Sequence, residues 1–273
     1  MIEYWNGIPI IDDSTDPDLL FNPQYARGAE PRDYTVDPEE MFEAPSGIKV
    51  IPQSEWSARI DEQNREKSSC ADVWERSGAI HLNQGSYGYC WSHSVTHAVM
   101  VSRLMQNQPH VPLSAFAVAA TIKSGRNEGG WCGLSAKFAR ERGIPSQEKW
   151  PQGRADWRAF DRPDVWEDAK RFLVTEDWFD LTRPVHGQVM TFEQVATCLL
   201  SGVPVAADFM WWRHSVTPLQ LVQVEPGSFG LKILNSWLDW GEKGFGILRG
   251  SRARPDAAVA IRTTVLSGLR NVA

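Results

Sequence analysis

The chain has 273 residues, 42% of them hydrophobic and 23% charged, with a net charge of −6 and four Cys. This describes an ordinary globular chain that can bury a sizeable core as one large domain or two lobes. The acidic balance argues against a general nucleic-acid binder, no run of about 18 apolar residues offers a membrane span, and four Cys are too few for a disulfide scaffold.

Residues 1–48 differ from the rest, with eleven Asp and Glu against two Arg and breaks at Pro9, Pro17, Pro23, Pro31, Pro38 and Pro45. This predicts an acidic arm that lies extended over the remainder of the chain. A sharper reading is a prosegment or docking arm that occupies a groove in cis or contacts a partner protein. The first residues lack the basic start and apolar core of a secretory signal. The expectation is therefore reduced thiols in a cytoplasmic or assembly-associated (for example virion) setting.

Residues 49–273 read as the main domain. After a polar, mixed stretch at 56–79, residues 91–105 place Trp91, Val95, Ala98, Val99, Ser102 and Met105 near one face, the spacing of a buried helix ended by Asn107 and Pro109. Helices are also predicted over 133–142 and 191–201. Between them, Trp157, Trp166 and Trp178 sit in a charged, loop-rich segment and read as packing residues. Strand-like runs follow at 203–209, 219–225, 231–235 and 244–249, with Pro226-Gly227-Ser228 as a turn. The fold class is therefore α+β, with a helical lobe roughly over 70–150, an antiparallel β lobe roughly over 185–265, and a cleft between them.

The chemistry concentrates in residues 83–94, NQGSYGYCWSHS. Cys90 stands immediately before a helix, where backbone N–H groups and the helix dipole favour an anion and lower a thiol's pKa. Gly85 and Gly88 permit tight backbone approach. Gln84, six residues earlier, can donate to an oxyanion beside the sulfur. A thiolate also needs a His to shuttle protons and a group to orient it. His214 and Asn235 fall at one open end of a hairpin turning at Pro226-Gly227, but its arms are unequal and a bulge near Pro218 is required to align them.

The segment from Gln84 to Trp91 resembles the papain/cathepsin signature around the nucleophile. Asn127-Glu-Gly129-Gly130-Trp131 resembles that family's substrate-pairing Gly-Gly loop, and RGIPSQEKWP, LSGVPVAA and NSWLDWGEKGFG resemble later segments in the family's order, over residues 49 to 262. The resemblance implies a papain-like two-lobed fold, with a helical left lobe, an antiparallel β-barrel-like right lobe and the active-site cleft between them, and a cysteine peptidase. Cys90 would be nucleophile, Gln84 oxyanion donor, His214 acid/base and Asn235 orienter. Gly129, Gly130 and Trp131 would line the substrate cleft, with Trp237 shielding the His–Asn hydrogen bond. No metal or organic cofactor is implied, and the partner is a peptide or protein substrate. Tyr87 replaces a family Cys, removing its disulfide, and Leu238 replaces a Gly after NSW.

Two other classes compete with this reading. One is a weak or inactive papain-fold component of a larger assembly; the other is a related thiol chemistry such as transglutamination. Cys70 and Cys198 read as buried small hydrophobes, and Cys132 as structural though near the cleft. His93 and His97 share a helical face without further ligands and read as core residues. His81, His110 and His186 read as ordinary, and neither the His186-Gly187 pair nor Asp208 has an assignable role.

Overall fold

A long helix without a polar face organises the molecule. Helix α3, Cys90–Met105, is buried over its first thirteen residues, which suits a central element packed on all sides. Two hydroxyls in this helix–sheet contact satisfy polar groups that water cannot reach. Ser94 Oγ donates to the Val216 carbonyl (2.8 Å), and Thr217 Oγ1 donates to the Ser94 carbonyl (3.0 Å). The computed structural model describes residues 2–16, 20, 22–32, 50–174, 177–180 (backbone) and 192–262. His186-Gly187 and the ring of Trp178 lie outside them.

Around α3 stand α1 (Gln53–Glu66), α2 (Cys70–Ser77), α4 (Ala115–Ile122), α5 (Cys132–Glu141), the short α6 (Trp157–Phe160) and α7 (Pro163–Ala169), with α8 (Phe192–Leu200) later in the chain. The polar 56–79 stretch is thus helical. Helix α1 buries only Trp56, Ile60 and Gln63, a narrow stripe in a polar sequence, and α2 opens on a Ser69–Asp72 capping box.

The strands are β1 (Glu3–Trp5), β2 (Ile8–Ile11), β3 (Asp177–Asp180), β4 (Val205–Phe209), β5 (His214–Glu225), β6 (Ser228–Leu234), β7 (Phe245–Arg249) and β8 (Ala257–Arg262). They form one sheet in the order β1-β2-β7-β6-β5-β4-β8-β3. This corrects two expectations. The β lobe is an open sheet instead of a barrel, since β1 and β3 are its two ends, and the β2–β7 pair is parallel. The first residues are also more than an arm. Asn6 and Gly7, at φ 49° and 82°, turn a two-residue hairpin, and β2 enters the sheet.

Helices cover both faces of the sheet. Leu219, Val222, Leu234 and Ile247 pack with α2, α3 and α5, while Leu221, Ile233 and Leu248 pack with α1 and α8. Leu219 and Leu221 should share a face, yet they enter opposite cores. The reason is the bulge that the unequal hairpin arms require: Pro218 pairs with Ile233 and Gln220 with Lys232, leaving Leu219 as the extra residue. Among the described residues no helix is long and apolar enough to cross a membrane.

Ile10 and Ile11 are each 1% exposed and enter opposite cores. Ile10→Ala is therefore expected to cost about 2–4 kcal/mol. A urea denaturation midpoint shifted down accordingly would agree; an unchanged midpoint would mean that the hairpin adds nothing to the core.

Candidate active site

Cys90 is the first residue of α3, His214 the first of β5, and Asn235 directly follows β6. Register shifts at Leu219 and Val224 of β5 join the last two. His214 Nε2 lies 2.7 Å from Asn235 Oδ1, which also accepts the Ser236 N–H at 2.7 Å. That oxygen can only accept, so Nε2 carries the imidazole proton and Nδ1 presents a bare lone pair. Among the described residues Nδ1 is buried without a hydrogen-bond partner. Burial holds His214 down at about 3, so the ring is neutral. Trp237 lies against it with centroids 4.3 Å apart, and Trp212 meets it edge-on at 4.9 Å, keeping water from the His–Asn hydrogen bond.

Gln84 is fixed by both ends of its amide. Its Oε1 accepts from Ser236 Oγ (2.6 Å), and its Nε2 donates to the Tyr87 and Ala26 carbonyls (2.8 Å each). The structure therefore brings Gln84, His214 and Asn235 into one buried network through the NSW segment.

The Cys90 thiol differs from the expectation. Its pKa is pushed up to about 11, because complete burial outweighs the helix terminus and the hydrogen bonds from Ser215 and the Gly28 backbone. The thiol thus bonds the residue next to His214 on β5, and both the thiol and the imidazole are neutral here. The cause of the burial is the chain itself, through residues 25–32. The Ala26 N–H donates to the Gly85 carbonyl (3.2 Å) and the Ala29 N–H to the Arg213 carbonyl (3.2 Å). Ala29 pairs in parallel with Gly130, whose N–H donates to the Gly28 carbonyl and whose carbonyl accepts the Glu30 N–H, both at 2.9 Å. A Cβ at position 28 would lie 2.0 Å from the Gly88 carbonyl oxygen, so only glycine fits there. Tyr25 stacks on Trp237 at 5.6 Å.

Several of these groups escaped the sequence reading. Arm residues 25–32 carry no motif. Asp208 interrupts the apolar run of β4, and that lone charge was its signal. It is wholly buried, accepting from Cys132 N–H (2.9 Å), Cys132 Sγ (3.0 Å) and Ser215 Oγ (2.5 Å). Burial raises its carboxyl to about 6. Cys132 therefore contacts the cleft region instead of being a plain core thiol. The paired-His helix face is explained by the core: His93 Nδ1 meets the Tyr89 carbonyl at 2.8 Å, and His97 Nε2 accepts the Leu82 N–H at 2.8 Å.

No family model and no curated protein matches the sequence. Solved structures do match. Procathepsin L 3 from Tenebrio molitor larval midgut aligns with a TM-score of 0.55 and 21% identity over 68% of this chain and 67% of that one. Xylellain, a cysteine protease from Xylella fastidiosa, aligns at 0.53 and 15% identity over 95% and 97%. The fold is papain-like. A stem bromelain precursor aligns at 0.55 and 15% identity over 80% and 75%. Within the papain-like frame all four cysteines are free, which accords with Tyr87 at the family's disulfide position.

The buried imidazoles set an acid limit on stability. Burial holds His93 at about 4, His214 at about 3 and His97 well below its usual value. Each takes a proton in the unfolded chain near pH 6.5 but not in the folded one, so stability falls as pH drops below 6.5. Asp208 acts oppositely, being protonated when folded below about 6 and when unfolded only near 3.8. Three groups outweigh one, so urea midpoints should fall from pH 6.5 to pH 4. A flat or rising profile would contradict the neutral buried histidines.

Proposed function

We propose that the protein is a cysteine peptidase kept latent by residues 25–32 of its own chain. The observation that carries this reading is the His214–Asn235 hydrogen bond, which leaves the imidazole's Nδ1 bare one residue along β5 from Ser215, a hydrogen-bond partner of the helix-terminal Cys90 thiol. When the segment leaves, water reaches the site and the desolvation that holds both groups neutral is relieved. His214 Nδ1 then takes the Cys90 proton, and the helix N-terminus favours the thiolate. The thiolate attacks a peptide carbonyl, whose developing oxyanion lies where Gln84 Nε2 now holds the Ala26 carbonyl. His214 returns the proton to the leaving amine, and water then hydrolyses the thioester. Gly129 and Gly130 would pair with the substrate backbone as Gly130 pairs with Ala29. Trp131 would wall the cleft. That the neighbours include a procathepsin and a bromelain precursor supports a prosegment role for the arm.

A second reading has its own support. The filled cleft and neutral thiol also suit a papain-fold scaffold in a larger assembly, docking a partner protein and lacking catalysis. Expulsion of the segment separates the two. Gly28→Leu cannot seat beside Gly88, so it should raise hydrolysis of a fluorogenic peptide library about tenfold or more over wild type. Cys90→Ala on that background should abolish it, and His214→Ala should lower it by about 10²–10⁴. Uniform inactivity of Gly28→Leu, with its fold retained, would favour the scaffold.

A further inference from the structure

Residues 1–48 contain two cations among eleven acids, Arg27 and Arg32, and both fall in the segment that fills the cleft. Arg27 Nη1 reaches the Trp212 carbonyl at 3.5 Å, at the rim. Arg32 goes deeper. Its Nη1 would lie 3.3 Å from a Cβ on Gly133, and the Trp131 indole edge meets the same point at 3.2 Å, so the guanidinium occupies space that the missing side chain of Gly133 leaves beside Trp131. Its Nε is shielded from water. The charge of Arg32 also acts on Asp208, opposing the rise that burial imposes on that carboxyl. Among the described residues, the hydrogen-bond donors on the Asp208 carboxylate, from Cys132 and Ser215, are uncharged. A buried carboxylate satisfied only by neutral donors still lacks a countercharge, and the arm brings one.

We propose that the pocket beside Gly130, walled by Trp131 and Gly133 and backed by Asp208, recognises a basic side chain, Arg foremost, and that Arg32 is its occupant in the latent protein. Peptides that enter the cleft would then be selected for Arg or Lys at the position seated there. Arg fits better than Lys because a planar guanidinium packs against an indole while keeping its charge toward a carboxylate. The selection of substrates rests on the peptidase reading; the binding of a basic side chain does not.

The test therefore separates binding from catalysis. Full-length protein carrying Gly28→Leu and Cys90→Ala is titrated by calorimetry with the heptapeptide Ala-Arg-Gly-Ala-Glu-Pro-Arg, the sequence of residues 26–32. A second titration uses the same peptide with citrulline, the neutral isostere, in place of its last Arg. The proposal expects binding of the Arg peptide about tenfold or more tighter. Equal binding, or no binding of either, overturns it. Only the ligand changes, so the comparison does not depend on any substitution of the buried Asp208. With Gly28→Leu alone, fluorogenic peptides bearing Arg should show kcat/KM about tenfold or more above those bearing norleucine at one cleft position. Cleavage without that preference overturns the pocket while leaving the peptidase intact. Arg-selective binding without any cleavage supports the pocket and removes the peptidase.

Discussion

The His–Asn pair at the site depends on two extra residues in one strand, Leu219 and Val224 of β5. Without Leu219 as a bulge, β5 and β6 would pair in another register, and His214 would not meet Asn235. The bulge sends Leu219 and Leu221 into opposite cores, so the two cores hold the register from both faces of the sheet. The His–Asn hydrogen bond is thus supported by packing far larger than itself. Trp237 and Trp212 then exclude water from it, which strengthens it and keeps the imidazole neutral.

The second constraint is coverage. A thiol at a helix N-terminus is ordinarily favoured as thiolate, yet here burial dominates and the thiol stays protonated. The covering segment uses backbone hydrogen bonds to Gly85, Gly130 and Arg213, so it is held by both walls of the cleft. Its anchor is upstream: β2 is a strand of the main sheet, paired with β7. Tethering at that end gives the segment a high effective concentration in the cleft. In the proposed reading, latency follows from this geometry without any change to the catalytic groups.

Much of the site was legible because its chemistry is local. Cys90 at a helix start, Gln84 six residues earlier, and the unequal hairpin around Pro226-Gly227 are short-range signals. The papain-like fold was legible for the same reason, through ordered motifs. What escaped was long-range. The Asn6-Gly7 turn is a strong hairpin signal, but surrounding acids and prolines masked the pairing of β2 with β7, where Ile10 meets Ile247. Helix α1 shows only a narrow apolar stripe. The helix-dipole argument for a thiolate failed at Cys90 because no local pattern reveals that residues 25–32 will bury it. Asp208 was visible as a charge in an apolar strand, yet its meaning depends on Cys132, Ser215 and Arg32, each distant in sequence or on another element.

In the proposed reading the covering segment, and not Cys90, His214 or Asn235, keeps this site silent. The rate of Cys90 alkylation by iodoacetamide against pH, read by mass spectrometry, tests it most directly. Wild type should label slowly near pH 6 and accelerate only at alkaline pH, as a thiol held at about 11 requires. Gly28→Leu should label rapidly already near pH 6, the signature of a thiolate beside His214. Slow, alkaline-only labelling in both proteins would contradict the account.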